Sequence, residues 1–198
     1  MAEGSTLLSR MWRGDGIHQI SILKDGAFKN ISVKSMFEAE QKAKDFSSNG
    51  YEVYFACAEY KEKGNRTVAN AKGAWGYWLD IDCGEEKVLK GVGYATKKEA
   101  SVALITFVKQ AKLPNPDFLI DSGNGLHVYF CSGTFIPKSE WQTNSKKLKE
   151  LTKHYSFLAD DTRTADLSSV LRFPDKFNYK NSSNPKLVKI IYPKVINE

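Results

Sequence analysis

A run of aromatic and aliphatic residues from Trp75 to Asp82, WGYWLDID, constrains the fold of this chain more than any other segment. The run is short and dense enough to be a buried strand, and side chains two apart on a strand share a face about 6–7 Å apart. Asp80 and Asp82 should therefore project together with Trp78, while the aliphatic residues between them pack on the opposite face. Two adjacent carboxylates repel each other when ionised, and Mg²⁺ or Mn²⁺ between them removes that cost. The alternative is a strand end with two solvated aspartates.

The remainder of the chain alternates between strand and helix signals. Helices are predicted after the N-cap residues Ser35, Thr96 and Ser139, the last two with capping-box spacing. Strands are predicted at 18–23, 28–33, 51–56, 118–120, 126–131 and 186–192. The polar, basic stretch 61–74 indicates an exposed loop. This alternation predicts an α/β or α+β domain built around a central sheet.

Length and charge narrow the classes of protein. A chain of 198 residues indicates a single domain over 1–198, and we expect two lobes that divide near 1–74 and 75–198. The net charge of +6 permits a polyanionic partner without proving one. No apolar run is long enough to span a membrane, and no secretory signal is recognisable. Three widely spaced cysteines without a CxxC pair argue against a zinc ribbon or knuckle and fit a reducing compartment. We therefore expect a cytoplasmic protein without a membrane partner.

A glycine-containing turn, Asp121-Ser122-Gly123-Asn124-Gly125, separates two predicted strands. Gly123 and Gly125 permit a positive φ and a close approach of backbone amides to an anion. Together with Ser122 and His127, these amides form a candidate binding site for a chain of phosphate groups. The Lys-[Ser/Thr] ending of a P-loop is missing. The alternative is a hairpin turn beside a structural histidine.

A third cluster of polar residues lies between positions 158 and 180. Asp160 or Asp161 would complete a three-carboxylate site, whereas Asp166 resembles an N-cap or ion-pair residue. Three later residues carry groups that bind phosphate: Arg172, Asn178 and Lys180. The alternative is a surface cluster of charges.

In this order, the three clusters resemble the archaeo-eukaryotic primase superfamily, and most closely its plasmid-, phage- and virus-type primase-polymerase branch. Members share an Asp-x-Asp strand, a Ser-Gly-x-Gly-x-His segment, and a late Asp followed by an Arg-x-Pro-Gly-x-x-Asn-x-Lys-like stretch. The corresponding segments here are WLDID (78–82), SGNGLH (122–127), and Asp160 with RFPDKFNYK (172–180). The resemblance spans about residues 50–193. One departure is Asp175, which stands where that branch usually has Gly.

The resemblance implies a fold and a set of roles. The fold is a catalytic core in which an N-terminal α/β unit is fused to an RRM-like sheet unit, with the site in the cleft between them. The catalytic metal ligands are Asp80, Asp82 and Asp160, with Asp166 as the runner-up for the third, and they hold two Mg²⁺ or Mn²⁺ ions. The residues that hold the nucleotide are Ser122, Gly123, Gly125, His127, Arg172, Asn178 and Lys180.

The function implied is that of a DNA primase or primase-polymerase, which makes or extends primers on single-stranded DNA from NTPs or dNTPs. Partners are the template, the primer strand and, in relatives, a replicative helicase or helical accessory domain. The basic loop would bind the template backbone through Lys61, Lys63, Arg66 and Lys72.

Three other functions were weighed against this one. The first is a non-catalytic module of the same fold that binds single-stranded DNA or an origin. The second is a small-molecule nucleotidyltransferase. The third, a rolling-circle nicking endonuclease, needs a His-x-His pair, and His18, His127 and His154 do not have that spacing.

Overall fold

The computed structural model describes residues 3–193. The helices are α1 (Glu3–Met11), α2 (Met36–Ser48), α3 (Glu85–Leu89), α4 (Lys97–Gln110), α5 (Lys138–His154) and α6 (Asp161–Ala165). The strands are β1 (His18–Lys24), β2 (Ala27–Val33), β3 (Glu52–Ala56), β4 (Ala58–Tyr60), β5 (Ala71–Asp82), β6 (Phe118–Asp121), β7 (Gly125–Pro137), β8 (Val170–Arg172), β9 (Phe177–Asn178), β10 (Lys186–Leu187) and β11 (Lys189–Tyr192). Within this range, no helix is both long and apolar enough to cross a bilayer.

Two antiparallel sheets form the frame of the molecule. The smaller has the order β2-β1-β3-β8, and the larger has the order β11-β6-β7-β5-β4. The expected division between two lobes, near residue 74, falls inside β5. Each sheet also contains a strand from the other side of that division. The larger sheet takes β4 from the N-terminal part, and the smaller takes β8 from the C-terminal part. The observed α+β architecture agrees with the predicted fold class.

The side chains of β5 separate two layers of core, as the alternation in the sequence predicts. Trp78 lies between the two sheets, in a buried cluster with Phe55 and Tyr129. Leu79 and Ile81 point to the other face, where residues of α4 such as Leu104 and Phe107 cover them. The central strand is therefore buried on both faces, and its two aspartates lie at its C-terminal end.

Two of the three predicted helix starts are confirmed by their cap geometry. The Ser35 hydroxyl accepts a hydrogen bond from the Glu38 amide, and the Thr96 hydroxyl accepts one from the Glu99 amide, both at 3.1 Å. These bonds satisfy amides that the first turn of each helix leaves without a partner.

The prediction that Ser139 caps α5 is wrong. Strand β7 runs directly into α5, whose cap residue is Pro137, and no side chain makes a cap hydrogen bond there. Ser139 already lies in the first helical turn, where its carbonyl accepts a bond from the Thr143 hydroxyl. The basic loop is also shorter than predicted, since residues 71–74 belong to β5.

Candidate active site

The register of β5 against β7 places the first two acidic residues beside the predicted histidine. Asp80 lies directly opposite His127, and Asp82 lies opposite Gly125. The Asp80 Oδ1 and His127 Nε2 atoms are 3.7 Å apart. A Cβ atom on Gly125 would lie 2.2 Å from the Ile81 carbonyl oxygen, so only glycine permits this approach of the two strands.

A backbone hydrogen bond places the third predicted acidic residue, Asp160, beside Asp80. The Asp160 amide donates a 2.7 Å hydrogen bond to the Asp80 carbonyl. Asp160 is also the N-cap of α6, since its carboxylate accepts bonds from the amides of Thr162 (2.8 Å) and Arg163 (3.0 Å).

The runner-up, Asp166, has a local role instead. Its carboxylate accepts hydrogen bonds from the amide and the hydroxyl of Ser168, at 2.8 and 2.7 Å. Asp166 follows α6 at the opposite end from Asp160. The structure therefore brings Asp160, and not Asp166, to the Asp80–Asp82 pair.

These residues border one cavity of about 240 Å³ between the two sheets. The predicted residues that line it are Asp80, Asp82, Ser122, His127, Asp160, Arg172, Asn178 and Lys180. Residues that line it without having been predicted are Tyr54, Asn124, Arg163, Val170 and Leu171. Position in the alternating pattern of β3 is the one sequence signal that points to Tyr54, because Val53 and Phe55 are buried in the core.

The glycine turn is shaped by its own contacts. Gly123 has a φ of +94°, and its amide donates a 2.8 Å hydrogen bond to Asp121 Oδ1, so this amide is already engaged. The Asp121 carboxylate also pairs with the Lys97 ammonium at 2.6 Å. In this structure the Gly123 amide holds the turn, and its role in binding an anion stays a prediction.

Asn178 closes the cavity from the other side of the turn. Its Nδ2 donates a 2.7 Å hydrogen bond to the Ser122 carbonyl. Asp175, which stands where the family usually has glycine, has a φ of +60° and so adopts the left-handed conformation that glycine favours. The turn that leads to Asn178 therefore contains a residue in the left-handed conformation.

Arg172 is held in the cavity wall by two residues of the neighbouring strand. Its Nη1 lies 2.5 Å from Glu52 Oε2, and its guanidinium lies 5.0 Å from the centre of the Tyr54 ring. The Tyr54 hydroxyl donates a 2.5 Å hydrogen bond to the same Glu52 oxygen. These contacts fix the orientation of the planar guanidinium, a group suited to bidentate binding of phosphate.

In the cavity, the pKa values of one aspartate and of the histidine differ from their ordinary values. Burial, reinforced by the charges of Asp82 and Asp160, raises the pKa of Asp80 to about 7. Burial, with the positive charges of Arg172 and Arg163, lowers the pKa of His127 to about 3. The Nδ1 atom of this neutral imidazole is buried without a hydrogen-bond partner.

The carboxylates fit a divalent cation by chemistry, although they do not form a ready ligand cage. Over residues 3–193, no three acidic, histidine or cysteine side chains are grouped so that they could hold one ion. The Asp82 carboxylate lies 2.5 Å from the Lys87 ammonium, and that of Asp160 is bound to helix amides. The donor set nevertheless consists of hard oxygen ligands. Burial raises the pKa of Asp80, and so do the charges of Asp82 and Asp160, which a cation would neutralise.

The predicted DNA-binding residues lie outside this cavity. Lys61 and Lys63 are exposed. Arg66 instead fastens the loop to the smaller sheet, because it donates to Asn30 Oδ1 at 3.0 Å and to the Ser168 carbonyl. The Lys72 ammonium lies 3.3 Å from the Asp15 carboxylate.

Comparison with known proteins gives matches to solved structures alone. No protein-family model matches the sequence, and no curated protein matches it. The archaeo-eukaryotic primase domain of the primase-polymerase from cyanophage S-2L is similar, with a TM-score of 0.68 and 14% identity over 96% of this chain and 88% of that one. The catalytic domain of primase RepB′, solved with initiator DNA, has a TM-score of 0.52 and 11% identity over 95% and 84%. The polymerase domain of Mycobacterium tuberculosis ligase D, solved with DNA, has a TM-score of 0.50 and 14% identity over 88% and 62%.

Proposed function

Because the chain has the catalytic-core fold of the archaeo-eukaryotic primases, in the form found in the phage and plasmid branch, we propose that it is a template-directed nucleotidyltransferase that makes or extends primers on single-stranded DNA. One observation carries the proposal: three carboxylates and a set of phosphate-binding side chains border the same cavity. The fold alone is compatible with other functions, since function depends on the site.

The phosphate-binding side of the cavity would hold the triphosphate of an NTP or dNTP. Arg172 and Lys180 supply positive charge, and Asn178 and Ser122 supply neutral hydrogen-bonding groups. His127, which lines the cavity, would act as a neutral hydrogen-bonding group, because its lowered pKa keeps the ring uncharged. Positioning and electrostatics then provide most of the rate enhancement.

On the acidic side of the cavity, Asp80, Asp82 and Asp160 would hold two Mg²⁺ or Mn²⁺ ions. Asp82 would then bind one of these ions in place of the Lys87 ammonium. Such ions neutralise the charge that develops on the leaving pyrophosphate and lower the pKa of the attacking hydroxyl. In the reaction, the 3′-oxygen of the growing strand forms a bond to the α-phosphorus. The bond from that phosphorus to the β-phosphate oxygen breaks, pyrophosphate leaves, and the hydroxyl proton passes to water.

The neighbouring structures solved with DNA support DNA as the partner of this chain as well. A basic net charge of +6 and the exposed Lys61 and Lys63 are compatible with binding to the template backbone. The single-stranded template would supply the base that selects the incoming nucleotide.

The test is incorporation of labelled NTPs or dNTPs on primed and unprimed single-stranded DNA, with Mg²⁺ or Mn²⁺. We expect metal-dependent synthesis that Asp82→Ala abolishes while binding of single-stranded DNA survives. The matched control is Glu86→Ala, which removes an exposed carboxylate four residues away that pairs with Lys90. Binding without incorporation in the unmodified protein would favour the non-catalytic module instead. Full activity of Asp82→Ala would overturn the catalytic role of this carboxylate.

A further inference from the structure

Two apolar cavities adjoin each other at the C-terminal end of α4. The larger has a volume of about 700 Å³ and lies between α4 and the strands at the edge of the larger sheet. The smaller, of about 300 Å³, lies between the end of α4 and α5. Leu113 lines both cavities. We call the two together the α4 groove and define it by Ile105, Val108, Leu113, Leu119, Leu148 and Tyr192.

The α4 groove is the incompletely covered margin of a core layer. Leu79 and Ile81 of β5 are fully buried beneath α4. Tyr77 and Phe130, which face each other across β5 and β7, pack against the same layer and are only partly buried. Both line the smaller cavity. Among residues 3–193, no helix or strand covers the layer at this margin as α4 covers its centre.

Apolar side chains also project from the rim of the groove. The side chain of Ile105 is 68% exposed, and that of Val102, three residues earlier on the same helix face, is 59% exposed. Tyr192, on the strand side of the larger cavity, is 49% exposed. Single exposed apolar residues are ordinary, whereas a contiguous set beside an apolar groove is typical of a surface that binds another molecule.

The shape of the groove follows from the way in which α4 ends. Lys112 has a φ of +51°, and the Leu113 amide donates a 3.0 Å hydrogen bond to the Val108 carbonyl. This is the pattern of a helix end that is closed by a residue in the left-handed conformation, often with a contact between the two apolar residues. It fixes Leu113 between the two cavities. The groove therefore belongs to the folded structure and does not need a ligand to form.

The charges around the groove have one sign. Lys109 and Lys112 line the larger cavity, Lys147 lines the smaller one, and all three residues are exposed. No acidic residue that the structure describes lines either cavity. A molecule that places carboxylates beside these ammonium groups would therefore gain complementary electrostatic contacts around an apolar centre.

The α4 groove is separate from the candidate active site. No described residue lines both the groove and the catalytic cavity. Asp80 and Trp78 lie at alternate positions of β5 and share a face, whereas Tyr77 shares the opposite face with Leu79. A molecule bound in the groove would leave the catalytic cavity open, and the inference drawn from the groove does not rest on the proposed function.

Shape and charge together specify the occupant. Two apolar depressions separated by Leu113 suit the side chains that recur at i, i+3, i+4 and i+7 on one face of a helix. A flat bilayer surface would not fill such depressions, and a nucleic acid strand would find positive charge at the rim alone. We propose that the α4 groove binds an acidic amphipathic helix of a partner protein. Its apolar side chains enter the two cavities, and its carboxylates contact Lys109, Lys112 and Lys147.

The first test uses a fluorescein-labelled synthetic helix with leucines at i, i+3, i+4 and i+7 and glutamates at the other positions. Its binding to the full chain is measured by fluorescence anisotropy. We expect Ile105→Gln to weaken binding about tenfold, the value of one buried aliphatic side chain. The control is Phe37→Gln, which removes a 72% exposed side chain of α2 that lines neither cavity. Both variants should keep the unfolding midpoint of the unmodified protein.

A charge exchange provides the second test. Lys109→Glu/Lys112→Glu should weaken binding of the glutamate helix about tenfold or more, and should strengthen binding of a matched helix that carries lysines in place of the glutamates. Lys147→Glu should act in the same direction, whereas Lys146→Glu, at the neighbouring position outside the groove, should not. An exchanged preference between the two helices cannot result from damage to the fold.

Three results would overturn the inference. The first is no binding of the glutamate helix by the unmodified protein at concentrations up to about 1 mM. The second is binding that Ile105→Gln leaves unchanged. The third is found by cosedimentation with phosphatidylserine vesicles and by sedimentation velocity of the protein alone. If Ile105→Gln removes vesicle binding or self-association, and the glutamate helix does not bind, the groove belongs to a membrane surface or to a second copy of the chain.

Discussion

The Asp160 amide lies 2.7 Å from the Asp80 carbonyl oxygen, and this hydrogen bond joins two acidic residues that are far apart in the chain. It holds the start of α6 against the end of β5. The side chain that caps α6, that of Asp160, is also a candidate metal ligand. The position of this residue therefore links the local stability of α6 to the chemistry proposed for the cavity.

Removal of the charge at Asp160 should separate these two roles. Asparagine is as good an N-cap as aspartate, so Asp160→Asn should keep α6 and its position. We expect incorporation to fall about a hundredfold or more, since a lost metal ligand costs several kcal/mol of transition-state stabilisation. The matched control is Asp166→Asn, which alters a carboxylate bound to Ser168. Equal losses in the two variants, measured by primer extension, would contradict the assignment of the third carboxylate.

His127 should contribute to nucleotide binding rather than to folding alone. His127→Ala removes a neutral imidazole whose Nδ1 is buried without a partner. We expect the Kd for an NTP or dNTP, measured by isothermal titration calorimetry, to rise about tenfold, the value of one hydrogen bond to a charged group. His154→Ala, which removes a surface histidine packed on Tyr155, serves as the control. A structural histidine would instead lower the unfolding midpoint and leave the Kd unchanged.

Gly125 should be required for the close approach of β7 to β5. A Cβ atom there would lie 2.2 Å from the Ile81 carbonyl oxygen, so Gly125→Ala must push the strands apart next to Asp82. We expect a loss of about 1–3 kcal/mol in the free energy of unfolding, as for other overpacked sites. Gly133→Ala, later in the same strand, adds a methyl group with no neighbour within 4 Å and should be close to neutral. Urea denaturation of the two variants distinguishes them, and equal stability would contradict the packing argument.

The basic loop should contribute to DNA affinity through its exposed lysines. The double variant Lys61→Gln/Lys63→Gln should bind single-stranded DNA more weakly. The slope of log K against log salt should fall by about 0.7 for each phosphate that the variant no longer neutralises. The control is Lys146→Gln/Lys147→Gln, which removes two exposed charges from α5. If both pairs change the slope equally, the effect comes from net charge and not from the loop.

The free energy of unfolding should depend on pH through His18. Burial lowers the pKa of this histidine in the folded protein, against a partial opposing effect of Glu59. Below about pH 6.5 the unfolded chain binds a proton that the folded protein does not, so stability is lost as the pH falls from that value toward the lowered pKa. His18→Phe keeps an aromatic ring for the stack on Trp12 and removes the titration. Urea unfolding between pH 5 and 7 should therefore show a shallower dependence in the variant, and an identical dependence would contradict the prediction.

Much of the fold could be predicted from local patterns. The alternation in WGYWLDID places Trp78 in one core layer and Leu79 in the other, and Thr96 caps α4 as its capping-box spacing requires. These features depend on residues within a few positions of one another, and that is the range over which periodicity and capping act. The prediction that Ser139 caps α5 was wrong because the local sequence does not show that β7 continues into α5 without a loop.

The candidate residues of the site were identifiable from motifs, but their assembly depends on contacts between distant segments. The pairing of β5 with β7 places Asp80 opposite His127, and a backbone hydrogen bond places Asp160, and not Asp166, beside Asp80. No local pattern predicts that Glu52 and Tyr54 of β3 contact Arg172. The ion pair of Lys87 with Asp82 is equally invisible in the local sequence. Residue type and spacing specify which groups a segment offers, whereas strand register and backbone hydrogen bonds between segments decide which of those groups meet.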